Sequence, residues 1–166
     1  AITTNSKSLY IKLLKLRNLG GIKKYEHDIV GFNSRLDTIQ AAILNNKLKS
    51  LNKNNQKRLR IAKFYHKNIN NKCIEKINYS KGCVYHQYVI LSKKEREIVK
   101  ILKKNKIQYG KHYPQPLHKL KAVEKNFKNE SFPNAEKFSK YGISLPIDPN
   151  LKKSQLIKIC KVLNSL

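Results

Sequence analysis

Residues 31–65, GFNSRLDTIQAAILNNKLKSLNKNNQKRLRIAKFY, constrain the fold more than any other stretch. Leu36, Ile39, Ile43, Leu44, Leu48 and Leu51 recur at helical spacing, which predicts one long amphipathic helix with a continuous apolar face. Either Asn33 or Ser34 can cap its start, and the free backbone N–H groups at such an end suit an anion. On spacing alone, an ordinary capped core helix accounts for the same pattern. The middle of the stretch, Asn52 to Arg58, is polar all round before Ile61, Ala62 and Tyr65 restore an apolar face. A helix solvated at mid-length suits an element bridging two lobes. The domain boundary is therefore expected within a turn or two of Leu48, dividing the chain into residues 1–47 and 48–166.

The flanks can be read in order. Residues 1–4 read as the end of a strand. Ser6 or Ser8 opens a helix with Leu9, Leu13 and Leu16 on one face, and Gly20-Gly21 stops it. A polar loop, residues 22–30, carries Tyr25 and His27, residue types that in loops usually serve as surface hydrogen-bonding groups. Farther on, residues 83–91 are rich in β-branched and aromatic side chains and predict a strand. Alternation assigns Cys83, Tyr85, Gln87 and Val89 to one face and Val84, His86, Tyr88 and Ile90 to the other. Ser92 and Glu95 have the spacing of a capping box for a helix whose apolar face is Ile98, Val99, Ile101 and Leu102. Residues 107–113 predict a second strand, ended by Pro114 and Pro116. Phe132-Pro133 starts another helix, residues 143–146 form a short edge strand, and residues 154–163 a closing helix. Strands alternating with helices give an α+β lobe.

Composition narrows the function. The formal net charge is +26 and apolar residues make up 40% of the chain, with no run long enough to span a membrane. Such a charge favours polyanions, nucleic acid among them. The lysines are nevertheless spread along the chain, so a solvated charged surface is the preferred reading. Three cysteines at irregular spacing predict free thiols in a reducing compartment, hence a cytoplasmic protein. Cys83 and His86 form a Cys-x2-His pair near Cys73, but no second pair completes a zinc site, and no metal is expected. No glycine-rich phosphate loop, nucleophile elbow or paired carboxylates stand out. The absence of Met and the opening AITTNSK read as a fragment entered mid-strand.

The string Gly31-Phe32-Asn33-Ser34-Arg35-Leu36-Asp37, followed by Gln40-Ala41-Ala42, Asn55, Arg58, Ile61-Ala62 and Tyr65, resembles the DegT/DnrJ/EryC1/StrS family of pyridoxal-phosphate sugar aminotransferases. AITTN, LRNLG and the Tyr25-x-His27 pair precede it in the family's order, and HYPQPLH (residues 112–118), FPNAE and ISLPI follow. The resemblance implies an α/β protein, the C-terminal part of a fold-type-I transferase: a small α+β lobe with a remnant of the large domain at its N-terminus. It implies pyridoxal 5'-phosphate as cofactor and a homodimer with sites shared across the interface. The implied substrates are a nucleotide-linked keto sugar and an amino donor, with glutamate expected. It assigns Asn33 to the cofactor phosphate of the partner subunit. Arg35, Tyr25, His27, His112, Tyr113 and His118 fall to the substrate side. The Schiff-base lysine and the acid at the pyridine nitrogen lie upstream of AITTN in the family, so no catalytic residue is assigned here and the chain alone is expected to be inactive. The alternatives are a basic nucleic-acid-binding module and a non-catalytic regulatory relative.

Overall fold

The computed structural model describes residues 1–78 and 81–166. They form two compact units, Ala1–Ser50 and Leu51–Leu166. No described helix is long and apolar enough to cross a membrane.

The first unit begins without the expected strand, since residues 1–4 form no regular element. Its first helix, α1 (Lys7–Arg17), is capped by Ser6, whose Oγ accepts from the Leu9 N–H at 3.3 Å. The chain turns at Gly20, whose N–H donates to the Lys15 carbonyl at 2.8 Å, in keeping with a glycine stop. The second helix, α2 (Thr38–Leu48), departs from expectation in three ways. Its N-cap is Asp37 rather than Asn33 or Ser34, and no side chain caps it. It stops at Leu48, and α3 (Leu51–Asn68) begins only after Lys49 and Ser50, so the single long helix is two. The cause is local: Ser50 N–H and Oγ both donate to the Lys47 carbonyl at 3.1 Å, occupying the acceptor that would carry the ladder into Leu51. Finally, the apolar face of α2 is not buried within its unit. Ile39 is 76% and Leu48 64% exposed, and the only buried residues in the first fifty are Gly20 and Gly21.

The second unit holds the core. A three-stranded antiparallel sheet runs in the order β1 (Glu75–Lys76), β2 (Tyr88–Leu91), β3 (Gly142–Leu145). Helix α4 (Glu95–Lys104) and α3 each pack on α6 (Lys153–Asn164), while α4 and α5 (Pro133–Tyr141) pack on β3. Tyr65, Ile90, Ile98, Leu102, Ile143 and Leu163 are sealed from solvent where these layers meet. Burying side chains of this size supplies most of the folding free energy, about 1.5–3 kcal/mol each. Tyr65 also donates its hydroxyl to the Pro146 carbonyl at 2.8 Å, tying α3 to the end of β3.

Three expectations in this unit are corrected. The strand foreseen over residues 83–91 starts at Tyr88, because Tyr85 takes a left-handed backbone (φ 48°) that breaks extended pairing. Tyr85 and Tyr88 therefore share the core, ring centroids 6.1 Å apart, rather than facing opposite ways. The strand foreseen over residues 107–113 is a single bridge, Gly110 to Ser144; its first residues still bond back onto α4, with Ile107 N–H on the Leu102 carbonyl at 2.9 Å. The Ser92–Glu95 capping box does not form. Ser92 Oγ donates to the Cys73 carbonyl at 2.7 Å and accepts from Lys94 N–H, while Glu95 pairs with Lys111 at 3.0 Å. The apolar face of α4, the Pro133 start of α5 and the closing helix are as expected, and α6 buries Leu156, Ile159, Cys160 and Leu163. All three cysteines are free; burial pushes the Cys160 thiol up to about 11.

Candidate functional site

In the first unit the candidate residues gather round a crossing of two backbone segments. Leu19 N–H donates to the Phe32 carbonyl at 3.0 Å, Phe32 N–H to the Leu16 carbonyl at 2.7 Å and Ser34 N–H to the Arg17 carbonyl at 2.9 Å. Asn33 thus pairs with Asn18 as an isolated bridge. The crossing is tight because Gly20 has no side chain: a Cβ there would lie 1.6 Å from the Ile29 carbonyl oxygen. Asp28, on the same loop, pairs with Lys15, whose hydrogen bond and charge hold its carboxyl below the usual range.

On this scaffold the Asn33 side chain is exposed. Its Oδ1 accepts from Arg35 Nε at 3.3 Å, while its Nδ2 and the terminal guanidinium nitrogens of Arg35 have no partner among the described residues. The two side chains therefore present unspent donors side by side, one neutral and one charged, a set that fits a phosphate. The helix-dipole argument does not apply, since α2 begins at Thr38 behind an aspartate. His27 is brought to the same crossing, its Nδ1 3.0 Å from the Leu19 carbonyl. Tyr25 stands off it, 82% exposed, with Lys24 Nζ over its ring.

In the second unit, residues 112–118 form an arch. His112 lies with Nδ1 2.9 Å from Ser144 Oγ on β3, its ring seated where a Gly110 Cβ would meet Cε1 at 2.6 Å. Tyr113 meets that ring edge-on at 5.5 Å and is largely exposed. His118 is different: it sits in a short 3-10 turn (Leu117–Lys119), buried, with Nε2 3.1 Å from Glu136 Oε1 and its ring 4.8 Å from Phe132. Tyr113, Pro114, Pro116, Leu117, Leu120 and Phe138 line an apolar groove of about 500 Å³ under the arch.

Glu136 and Ser144 are the partners that sequence reading missed. Both lie inside strings, FPNAE and ISLPI, that served to place a helix and a strand and to extend the resemblance, and the signal was an acid in the first turn of α5 and a hydroxyl on β3. Hydrogen bonds from His118 and Lys119 lower the pKa of Glu136 below its ordinary value. A lowered folded-state pKa means the carboxylate's contribution is complete above the unfolded value and vanishes as pH falls through the folded one. Acid unfolding should therefore show a component below the ordinary glutamate range that Glu136→Gln lacks. Identical pH profiles for the two proteins would refute it. No group of three metal-ligating side chains exists among the described residues, so Cys73, Cys83 and His86 do not converge.

A sequence model described as the DegT/DnrJ/EryC1/StrS aminotransferase family matches residues 1–164. Among curated relatives, a dTDP-3-amino-3,6-dideoxy-alpha-D-galactopyranose transaminase of Aneurinibacillus thermoaerophilus is 39% identical, over 99% of this chain and 46% of its own. A pleiotropic regulatory protein of Geobacillus stearothermophilus is 35% identical, over 93% of this chain and 43% of its own. Among solved structures, S. venezuelae DesV superposes with a TM-score of 0.89 at 30% identity, covering 98% of this chain and 45% of that one. The chain thus spans about half the length of the curated relatives it matches.

Proposed function

Because this chain belongs to the DegT/DnrJ/EryC1/StrS aminotransferase family, we propose that it is the C-terminal part of a pyridoxal-phosphate enzyme that moves an amino group onto a nucleotide-linked keto sugar. Residues 1–47 are then part of the large, cofactor-binding domain with the start of the connection, and residues 48–166 the small domain. The active form is a homodimer in the cytoplasm, and glutamate is the donor. The Schiff-base lysine is not among this chain's lysines, none of which matches the family's motif, and the chain alone is inactive.

Bound in the whole enzyme, the cofactor supplies an electron sink for the exchange of amine and ketone. This chain's part is to hold and orient. Asn33 and Arg35 offer the two unspent donors described above, and Asn33 is assigned to the cofactor phosphate of the opposite subunit. The observation that carries this is their exposure on a backbone crossing that fixes them. Tyr25 and His27 border the same loop on the substrate side. His112 and Tyr113 are assigned to the sugar or its diphosphate, with His118 belonging to the loop they share. The arrangement of His112 supports this: Ser144 engages Nδ1, the residue is otherwise exposed, and Nε2 has no hydrogen-bond partner among the described residues. The basic-module alternative has only diffuse charge in its favour, and the regulatory one only a relative's name.

Asn33→Ala in the complete enzyme tests the assignment. Losing one hydrogen bond to a charged phosphate costs on the order of 1.5–3 kcal/mol, or roughly ten- to hundredfold in cofactor affinity. Stability should barely change, because Asn33 caps no helix and its backbone bridge to Asn18 survives the substitution. Mixing this variant with one lacking the Schiff-base lysine should restore one site per heterodimer. No recovery would rule out the cross-subunit role.

A further inference from the structure

We infer that His118 is a positioning residue rather than a ligand-contacting one: with Glu136 it staples the far end of the 112–118 arch onto α5. The two imidazoles of the arch look alike in sequence and differ in placement. Beyond its contact with Ser144, His112 is exposed, whereas only 8% of the His118 side chain is accessible and its ring is closed between Phe132 and the Glu136 carboxylate. A ligand reaching Nε2 of His118 would first have to displace that carboxylate. Glu136 is itself well placed to hold: it lies in the first turn of α5, where a negative charge is favoured, and Lys119 Nζ approaches the same oxygen at 3.3 Å.

The arch needs such a staple. No backbone N–H of residues 111–116 donates to another backbone carbonyl among the described residues, and two of those residues are prolines. Its near end is held by side chains: His112 on Ser144, and Lys111 on both Glu95 Oε1 and the Lys140 carbonyl. Its far end has the His118–Glu136 pair, with Gln115 Nε2 closing onto the Lys119 carbonyl at 2.6 Å. Between these anchors Tyr113 and Leu117 are 69% and 78% exposed. An arch fixed at both ends presents these groups already ordered, so a ligand need not supply the ordering free energy. That this arch faces substrate rests on the function proposed above; the staple itself does not.

The test starts with the chain as it stands. Backbone 15N relaxation at Tyr113, Gln115 and Leu117 should give order parameters near about 0.85, falling below about 0.6 in Glu136→Ala. Glu136→Gln keeps an acceptor for Nε2 and should restore order. The His118 side-chain 15N resonances should shift in Glu136→Ala. An arch equally ordered in Glu136→Ala, or a His118 spectrum blind to that change, overturns the inference. In the complete enzyme, Glu136→Ala should raise KM for the sugar nucleotide roughly tenfold with a smaller effect on kcat. A loosened arch with unchanged KM leaves the staple standing and refutes the substrate-facing reading instead. Sugar nucleotide that shifts the wild-type His118 Nε2 resonance and breaks its contact with Glu136 would make His118 a ligand and overturn the inference directly.

Discussion

Tyr65→Ala is expected to cost the second unit about 3–5 kcal/mol, the range for emptying a large aromatic site in a packed core. Tyr65 is wholly buried, its ring lies 5.1 Å from that of Tyr88, and its hydroxyl holds the Pro146 carbonyl. Removing it opens a cavity beside Tyr88, whose own hydroxyl is buried without a hydrogen-bond partner among the described residues. Domains are typically stable by only about 5–15 kcal/mol, so the variant should unfold at much lower urea. Tyr65→Phe keeps the ring and loses only the hydrogen bond, about 1 kcal/mol. Similar midpoints for the two variants would show that packing at this position is not what holds α3 to the sheet.

Gly20→Ala should disorder the Asn33 loop. Gly20 has a φ of 94°, and the added methyl carbon would lie 1.6 Å from the Ile29 carbonyl oxygen, with backbone rather than a yielding side chain in the way. Left-handed strain alone is about 1–3 kcal/mol, and here the segments must also separate. Amide exchange at Phe32 and Ser34, which bond across the crossing to Leu16 and Arg17, should accelerate sharply. In the complete enzyme, cofactor retention should suffer more than in Asn33→Ala, because Arg35 loses its support too. Gly82→Ala is the control: its φ is 88° but nothing among the described residues lies within 4 Å of the new methyl carbon, so the strain is what the test isolates. Equal effects at the two glycines would mean that the close approach at Gly20 is unimportant.

What the residues disclosed and what they concealed follow one physical distinction. Elements set by local periodicity were legible: the Ile98–Leu102 face of α4, Pro133 at the start of α5, and the closing helix foreseen over residues 154–163. Elements decided by competition for one acceptor were not. Lys47 O is taken by Ser50, which divides the long helix, and Ser92 Oγ is taken by Cys73 O, which dissolves the capping box. Nothing in either string announces the competitor. The strand over residues 83–91 failed where Tyr85 adopts a positive φ that its residue type does not foretell. The membership of the candidate site came from resemblance, but its geometry came from partners far along the chain. Glu136 lies eighteen residues beyond His118 and Ser144 thirty-two beyond His112, separations at which a single sequence carries no pairing signal. The apolar residues of α2 were expected to form a continuous face, yet Ile39, Ile43, Leu44 and Leu48 are all exposed and none of the helix is buried. Exposed side chains such as Ile39 and Leu48 are what a unit covered by further polypeptide would show.

The proposal that this chain belongs to a sugar aminotransferase is tested most directly by following nitrogen. The complete, cofactor-loaded enzyme is supplied with 15N-glutamate and a set of nucleotide-linked keto sugars, and the products are analysed by mass spectrometry. The account predicts a nucleotide-linked amino sugar carrying the heavy nitrogen, formed only with cofactor present and strongly reduced by Asn33→Ala. An enzyme that retains its cofactor yet leaves every keto sugar unlabelled would contradict it.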